Sequence, residues 1–158
     1  MGNKVKPVPD GYHTITPYIS VKGAARALAF YKDAFGAEEL YRLDMPDGRV
    51  GHAEIRIGDS RLMLADEMPE MPDAVTRSPQ TLGATTTGLS LYVDDVDARF
   101  ARAVAAGAKM KRPVTNQFYG DRSGTLEDPF GHIWTIGTHV EDVSPEEMQR
   151  RTAKMLGG

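Results

Sequence analysis

The chain has 158 residues, 41% of them hydrophobic, a formal net charge of −3 and no cysteine. It therefore holds no disulfide, no thiolate metal site and no cysteine nucleophile, and its length suits one domain or two small fused modules. An acidic balance without a basic run leaves no nucleic-acid footprint, and no apolar run approaches the roughly 18 residues of a membrane span.

Residues 1–13, with Pro7, Pro9 and Gly11, read as a loosely held arm. They lack the apolar core of a secretion signal, so a cytoplasmic location is expected. Residues 14–21 alternate with period two, placing Ile15, Ile19 and Val21 on one face and Thr14, Thr16, Tyr18 and Ser20 on the other, as in a half-buried strand. Pro17 cannot donate to a ladder, which suggests an edge there. Ala24, Leu28, Tyr31 and Phe35 then fall on one helical face over 23–35, and Gly36 stands where a left-handed residue closes a helix. Strands are expected at 39–45, 50–57 and 61–65. Residues 67–85 hold Pro69, Pro72 and Pro79 and show no sustained period, so they read as a linker or flap.

The opening pattern then returns. Residues 89–93 alternate as 19–21 do. Asp94 or Asp95 can cap a helix over 95–107 with Val96, Phe100 and Ala103 inward. Strands follow at 109–113, 123–127 and 132–139, the last two joined by the turn Asp128-Pro129-Phe130-Gly131. The chain is thus a βαβββ unit written twice, an α+β architecture with modules at 14–66 and 86–140. Ser144-Pro145-Glu146-Glu147 is a capping box opening a short polar helix within the C-terminal segment 141–158.

Period two also assigns faces. With Ala53, Ile55 and Ile57 toward the helix, His52, Glu54 and Arg56 point the other way, as do Tyr18, Ser90, Tyr92 and Thr135 on their strands. His52 and Glu54 suit a base with its orienter, two ligands of a metal completed by a third group, or a polar pair on a solvated face. Asp121 and Arg122 are adjacent on a strand and point opposite ways, so each serves a salt bridge elsewhere or a ligand. Phe118 and Tyr119 beside them offer an aromatic wall or a capped edge. Trp134 reads as core, and His132 and His139 read as surface or hinge polar groups. Met68 and Met71 suit a lid over an apolar ligand or an exposed linker.

Tandem βαβββ units, together with Gly51-His-Ala-Glu-Ile, residues 58–66, Gly120-Asp-Arg-Ser-Gly and Glu127-Asp-Pro-Phe-Gly-His-Ile-Trp, resemble the vicinal oxygen chelate superfamily of glyoxalase I, extradiol dioxygenases and the fosfomycin- and bleomycin-resistance proteins. Within it the PhnB-like branch is the most similar. The resemblance covers residues 12–140. It implies curved sheets with helices outside and a cleft between modules, often in a homodimer. Metal-dependent members carry ligands on the first and last strand of each module. Counting from the motifs, those positions fall on Thr16, Met63, Gly88 and Thr135, none a usual divalent ligand. No cofactor is therefore expected. The resemblance implies a binder of an organic small molecule, with Tyr18, His52, Glu54, Arg56, Tyr92, Tyr119, Arg122 and Thr135 as contact residues. Two alternatives are a metal-dependent glyoxalase-type lyase or isomerase using His52 and Glu54 in another register, and a non-catalytic dimeric interaction domain. No nucleic-acid or membrane partner is expected.

Overall fold

The structure, a computed structural model, describes residues 5–157. The chain forms two compact units, the first ending at Ala84 and the second beginning at Thr85.

The first unit runs β1 (Tyr18–Val21), α1 (Ala24–Phe35), β2 (Glu38–Asp44), β3 (Val50–Ile57), β4 (Ser60–Asp66) and a short α2 (Pro79–Leu82). Its sheet has the order β1-β4-β3-β2, with β1 parallel to β4 and the other pairs antiparallel. Helix α1 buries Leu28, Tyr31 and Phe35 along the face expected from their spacing. Gly36 closes it at φ 69°, and the amides of Gly36 and Ala37 return to the carbonyls of Lys32 and Tyr31. The sheet face that carries Ile19, Val21, Ala53, Ile55, Leu62 and Leu64 supplies the rest of this core.

The second unit runs β5 (Gly88–Tyr92), α3 (Val96–Ala105), β6 (Lys109–Asn116), β7 (Asp121–Glu127), β8 (Ile133–His139) and α4 (Pro145–Leu156). The order β5-β8-β7-β6, with β5 parallel to β8, repeats the first sheet. Val96, Phe100 and Ala103 are buried on α3, and Leu126, Trp134 and Ile136 on the sheet. Gly124 is needed where the layers meet: a Cβ there would lie 2.8 Å from the Phe100 ring and 2.9 Å from the Val114 side chain. Ser144 caps α4, accepting from the Glu147 amide at 3.2 Å, while the Glu147 carboxylate goes to Arg151 and not back to the Ser144 amide. Arg151 then ties it to Glu141 and to the Phe118 carbonyl.

The repeat extends to the helix starts. Gly23 gives α1 no side-chain cap. Asp66 at the end of β4 supplies one, accepting from the amides of Gly23 (2.7 Å) and Ala24 (2.9 Å), and from Val50 (2.8 Å). The same 72-residue offset separates Ala24 from Val96 and Asp66 from Thr138. Thr138 Oγ1 duly accepts from the Val96 amide at 3.0 Å.

Four expectations need correction. The first strand starts at Tyr18, not at 14; Ile15 is 84% exposed and joins no core. Pro17 accepts from the Met63 amide but has no N–H to continue the ladder. Segment 67–85 is not wholly irregular. It contains α2, capped by Ser78, and Ser78 and Thr81 donate to the buried Glu67 carboxylate at 2.8 and 2.7 Å. Strand β6 runs through Pro113 to Asn116, because it is an edge strand whose register shifts between Arg112 and Thr115. His132 is buried, not a surface group, and sits in the turn where its amide bonds Asp128 Oδ1.

Candidate functional site

On the first sheet, the face opposite α1 carries a connected side-chain chain. Tyr18 on β1 pairs across β4 with Met63, Met63 with Glu54 on β3, and Glu54 with Tyr41 on β2. Leu43 pairs with His52 in the next row. Directly paired residues share a face, so all six point away from the helix. Tyr18 Oη lies 3.0 Å from His52 Nδ1, and His52 Nε2 lies 3.1 Å from Glu54 Oε1. A carboxylate only accepts, so Nε2 carries the proton and donates it to Glu54. In the neutral ring the Nδ1 lone pair then accepts from the Tyr18 hydroxyl. The tyrosines flank the imidazole, with ring centroids 5.5 Å (Tyr18) and 6.1 Å (Tyr41) away. Tyr18, Tyr41 and Leu43 are each about half exposed, an open apolar surface beside a polar chain. Burial pushes the Tyr18 phenol above its ordinary value.

Arg56 does not join this group; it pairs with Glu38 at the sheet margin. Arg61 takes the place beside Glu54, 3.7 Å from Oε2, with its guanidinium 4.1 Å over the Tyr12 ring. Sequence reasoning missed Arg61, Tyr41 and Leu43. Arg61 was within reach of it: with Leu62 and Leu64 inward, period two sends Arg61 to the polar face.

On the second sheet a recess of about 240 Å³ is lined by Ser90, Tyr92, Tyr119, Asp121, Ser123 and Thr135, among others. The Tyr92 hydroxyl donates to Asp121 Oδ2 at 2.7 Å, and His139 Nδ1 approaches Asp121 Oδ1 at 2.8 Å. His139 Nε2 meets Asp142 at 2.9 Å. Tyr119 Oη lies 3.3 Å from Ser123 Oγ, and Thr135 Oγ1 lies 3.3 Å from Thr125 Oγ1. Of the adjacent pair at 121–122, Asp121 is thus the one at the recess. Arg122 points to α3 and grips Asp97 with two bonds of 2.7 Å.

The charges here support one another. Hydrogen bonding to Asp121 and Asp142 raises the His139 pKa. Burial pushes Asp121 up, but the bonds from His139 and Tyr92 prevail and hold its carboxyl below the ordinary value. Bonding to Asp121, then burial, raises the Tyr92 phenol. The sign follows from linkage. His139's contribution to stability is complete below its ordinary 6.5 and fades as pH rises through the higher folded value. That of Asp121 is present above 3.8 and fades as pH falls. The urea midpoint should therefore decline as pH rises from 6.5, and His139→Gln should flatten that decline. An unchanged pH profile in the variant would refute the assignment.

The family model for the Glyoxalase/Bleomycin resistance protein/Dioxygenase superfamily matches residues 12–136. The Mycobacterium bovis protein Mb0911c is 42% identical over 135 residues, covering 85% of this chain and 89% of the relative. TioX from Micromonospora sp. ML1 superposes with a TM-score of 0.64 at 26% identity, over 81% of this chain and 99% of TioX. The PhnB protein from Bacillus cereus superposes at 0.61 with 20% identity, over 80% of this chain and 99% of that one. The chain belongs to the glyoxalase/bleomycin resistance protein/dioxygenase superfamily.

A divalent ion does not suit the side chains at the positions where the resemblance to metal-dependent members places ligands. Tyr18 pairs with Met63 and Ser90 with Thr135, so the strand registers of the two sheets agree and Met63 corresponds to Thr135. Thr16, Met63, Gly88 and Thr135 offer no carboxylate, imidazole or thiolate. Packing does not impose the glycine, because a Cβ at Gly88 would meet nothing within 4 Å. Among the described residues, no three His, Cys, Asp or Glu side chains converge on a point where an ion fits. Also among them, no helix is long and apolar enough to cross a membrane.

Proposed function

We propose that this chain is a PhnB-like protein that binds an organic small molecule without a catalytic metal, as a cytoplasmic homodimer. The observation that carries the reading is the first sheet's open face, where exposed Tyr18, Tyr41 and Leu43 border the polar chain of His52 and Glu54. Aromatic surface with a few convergent polar atoms is the usual make-up of a ligand site. The second sheet's recess, with Tyr92, Tyr119 and Thr135, has the same composition. The branch rests on the motifs around His52 and Asp128 and on likeness to the Bacillus cereus fold. The homodimer rests on analogy with the family, and the location on the absence of a secretion-signal core at the N-terminus.

The glyoxalase-type alternative is disfavoured by His52 itself. One ring nitrogen donates to Glu54 and the other accepts from Tyr18, so neither presents a free lone pair to an ion.

A thermal-shift screen tests the binding reading. A ligand at one hundred times its dissociation constant stabilises the folded state by about 2.7 kcal/mol, several degrees for a chain of this size. Flat aromatic compounds should raise the melting temperature of the wild type and fail to do so in Tyr18→Ala and His52→Ala. Shifts that persist undiminished in both variants would remove this face from the site.

A further inference from the structure

We propose that Tyr18, His52 and Glu54 form a proton relay that takes the proton of a neutral ligand carrying a weakly acidic hydroxyl, a phenol or an enol. The inference rests on the binding reading above and names its ligand class.

Geometry sets the direction. The relay descends from solvent into the face: Tyr18 is 46% exposed, while the side chains of His52 and Glu54 are 25% and 17% exposed. The Tyr18 hydroxyl covers His52 Nδ1 at 3.0 Å, so a ligand meets the phenol oxygen before the imidazole. That oxygen already donates its hydrogen inward and keeps lone pairs facing outward. Glu54 fixes the opposite nitrogen as the protonated one, which in the neutral imidazole leaves Nδ1 as the proton acceptor. This is the arrangement of base and orienter used to activate a hydroxyl, with a tyrosine at its outer end.

The ligand O–H proton passes to Tyr18 Oη as Tyr18's own proton passes to His52 Nδ1. The ligand oxygen keeps the electron pair of the broken bond. Tyr18 ends as a neutral phenol donating to the new oxyanion. His52 ends as an imidazolium, with Nδ1–H toward Tyr18 and Nε2–H still toward Glu54, whose carboxylate balances the charge. A standing Tyr18 phenolate is not needed, in keeping with the burial that raises this phenol.

Ligand class follows from the surroundings. Tyr41 on β2, Glu54 on β3 and Arg61 on β4 are the titratable groups beside His52 and Tyr18, and Arg56 is engaged at the margin by Glu38. Glu54 faces Arg61 at 3.7 Å, so the resting site has no surplus charge with which to recruit an ion. Tyr18 and Tyr41, their rings tilted 41° and 48° to the imidazole, offer with Leu43 an apolar bed instead.

The test uses the full chain and 4-nitrophenol, whose anion has its own absorbance band. Titrated while bound, the probe should ionise about one unit or more below its value in the same buffer, a tenfold shift in its proton equilibrium. His52→Gln and Tyr18→Phe, each checked for native circular dichroism, should bind the probe and lose that shift. Arg61→Gln should keep most of it. A bound probe with unshifted ionisation overturns the relay and leaves binding intact. A shift lost in Arg61→Gln but kept in His52→Gln also overturns it, assigning the effect to the guanidinium charge. No calorimetric binding at millimolar probe overturns the ligand class, and the thermal-shift screen then judges the wider binding reading separately.

Discussion

Asp128→Ala is expected to destabilise the protein by about 3–5 kcal/mol, a large share of the roughly 5–15 kcal/mol that holds a domain folded. Asp128 is 2% exposed and organises the turn between β7 and β8. Its Oδ1 accepts from the amides of Phe130 and His132, each at 2.9 Å, and its Oδ2 accepts from Trp134 Nε1 at 3.0 Å. Truncation leaves three donors facing a methyl group in the interior, and each unpaired buried donor costs about 1–3 kcal/mol. Gly131, at φ 90°, completes the turn but cannot replace those acceptors. Asp128→Asn keeps one carbonyl oxygen and should lose less. Trp134 is the only tryptophan, so its emission follows urea unfolding without interference. A loss below about 1 kcal/mol at unchanged m-value would show that the turn stands without its carboxylate.

Much of this fold was legible in local periodicity. Ala53, Ile55 and Ile57 assigned the faces of β3, and the 72-residue offset assigned the second unit from the first. The turn at 128–131 announced itself through Asp, Pro and Gly, whose backbone preferences are intrinsic. The placement of His52 and Glu54 on the outer face was legible for the same reason. What was not legible is long-range pairing of side chains. No local pattern says that Tyr18 reaches His52, or that Asp121 chooses Tyr92 and His139 while Arg122 turns to Asp97. His139 read as a surface polar group because a histidine at a strand end carries no signal of its partners. Arg56 and Arg61 were equivalent by alternation, and only the register of β3 with β4 decides which one meets Glu54. Ile15 was misassigned because alternation continues through Pro17 in the sequence, whereas the hydrogen-bond ladder does not.

The second large effect concerns metal. At the four positions where the resemblance to metal-dependent members places ligands, Gly88 has no side chain, Thr16 and Thr135 are poor donors, and the Met63 thioether suits soft ions. Loss of one ligand of four weakens a site; loss of all four removes nearly its whole affinity. The ion would then have to take His52 and Glu54, breaking the bonds these make with Tyr18 and each other. Elemental analysis of the exhaustively dialysed protein tests this most directly. Zn, Ni, Mn and Fe are expected far below one equivalent per chain. Near one equivalent of any of them, lost in the His52→Ala/Glu54→Ala double variant, would contradict it and give the site to metal chemistry.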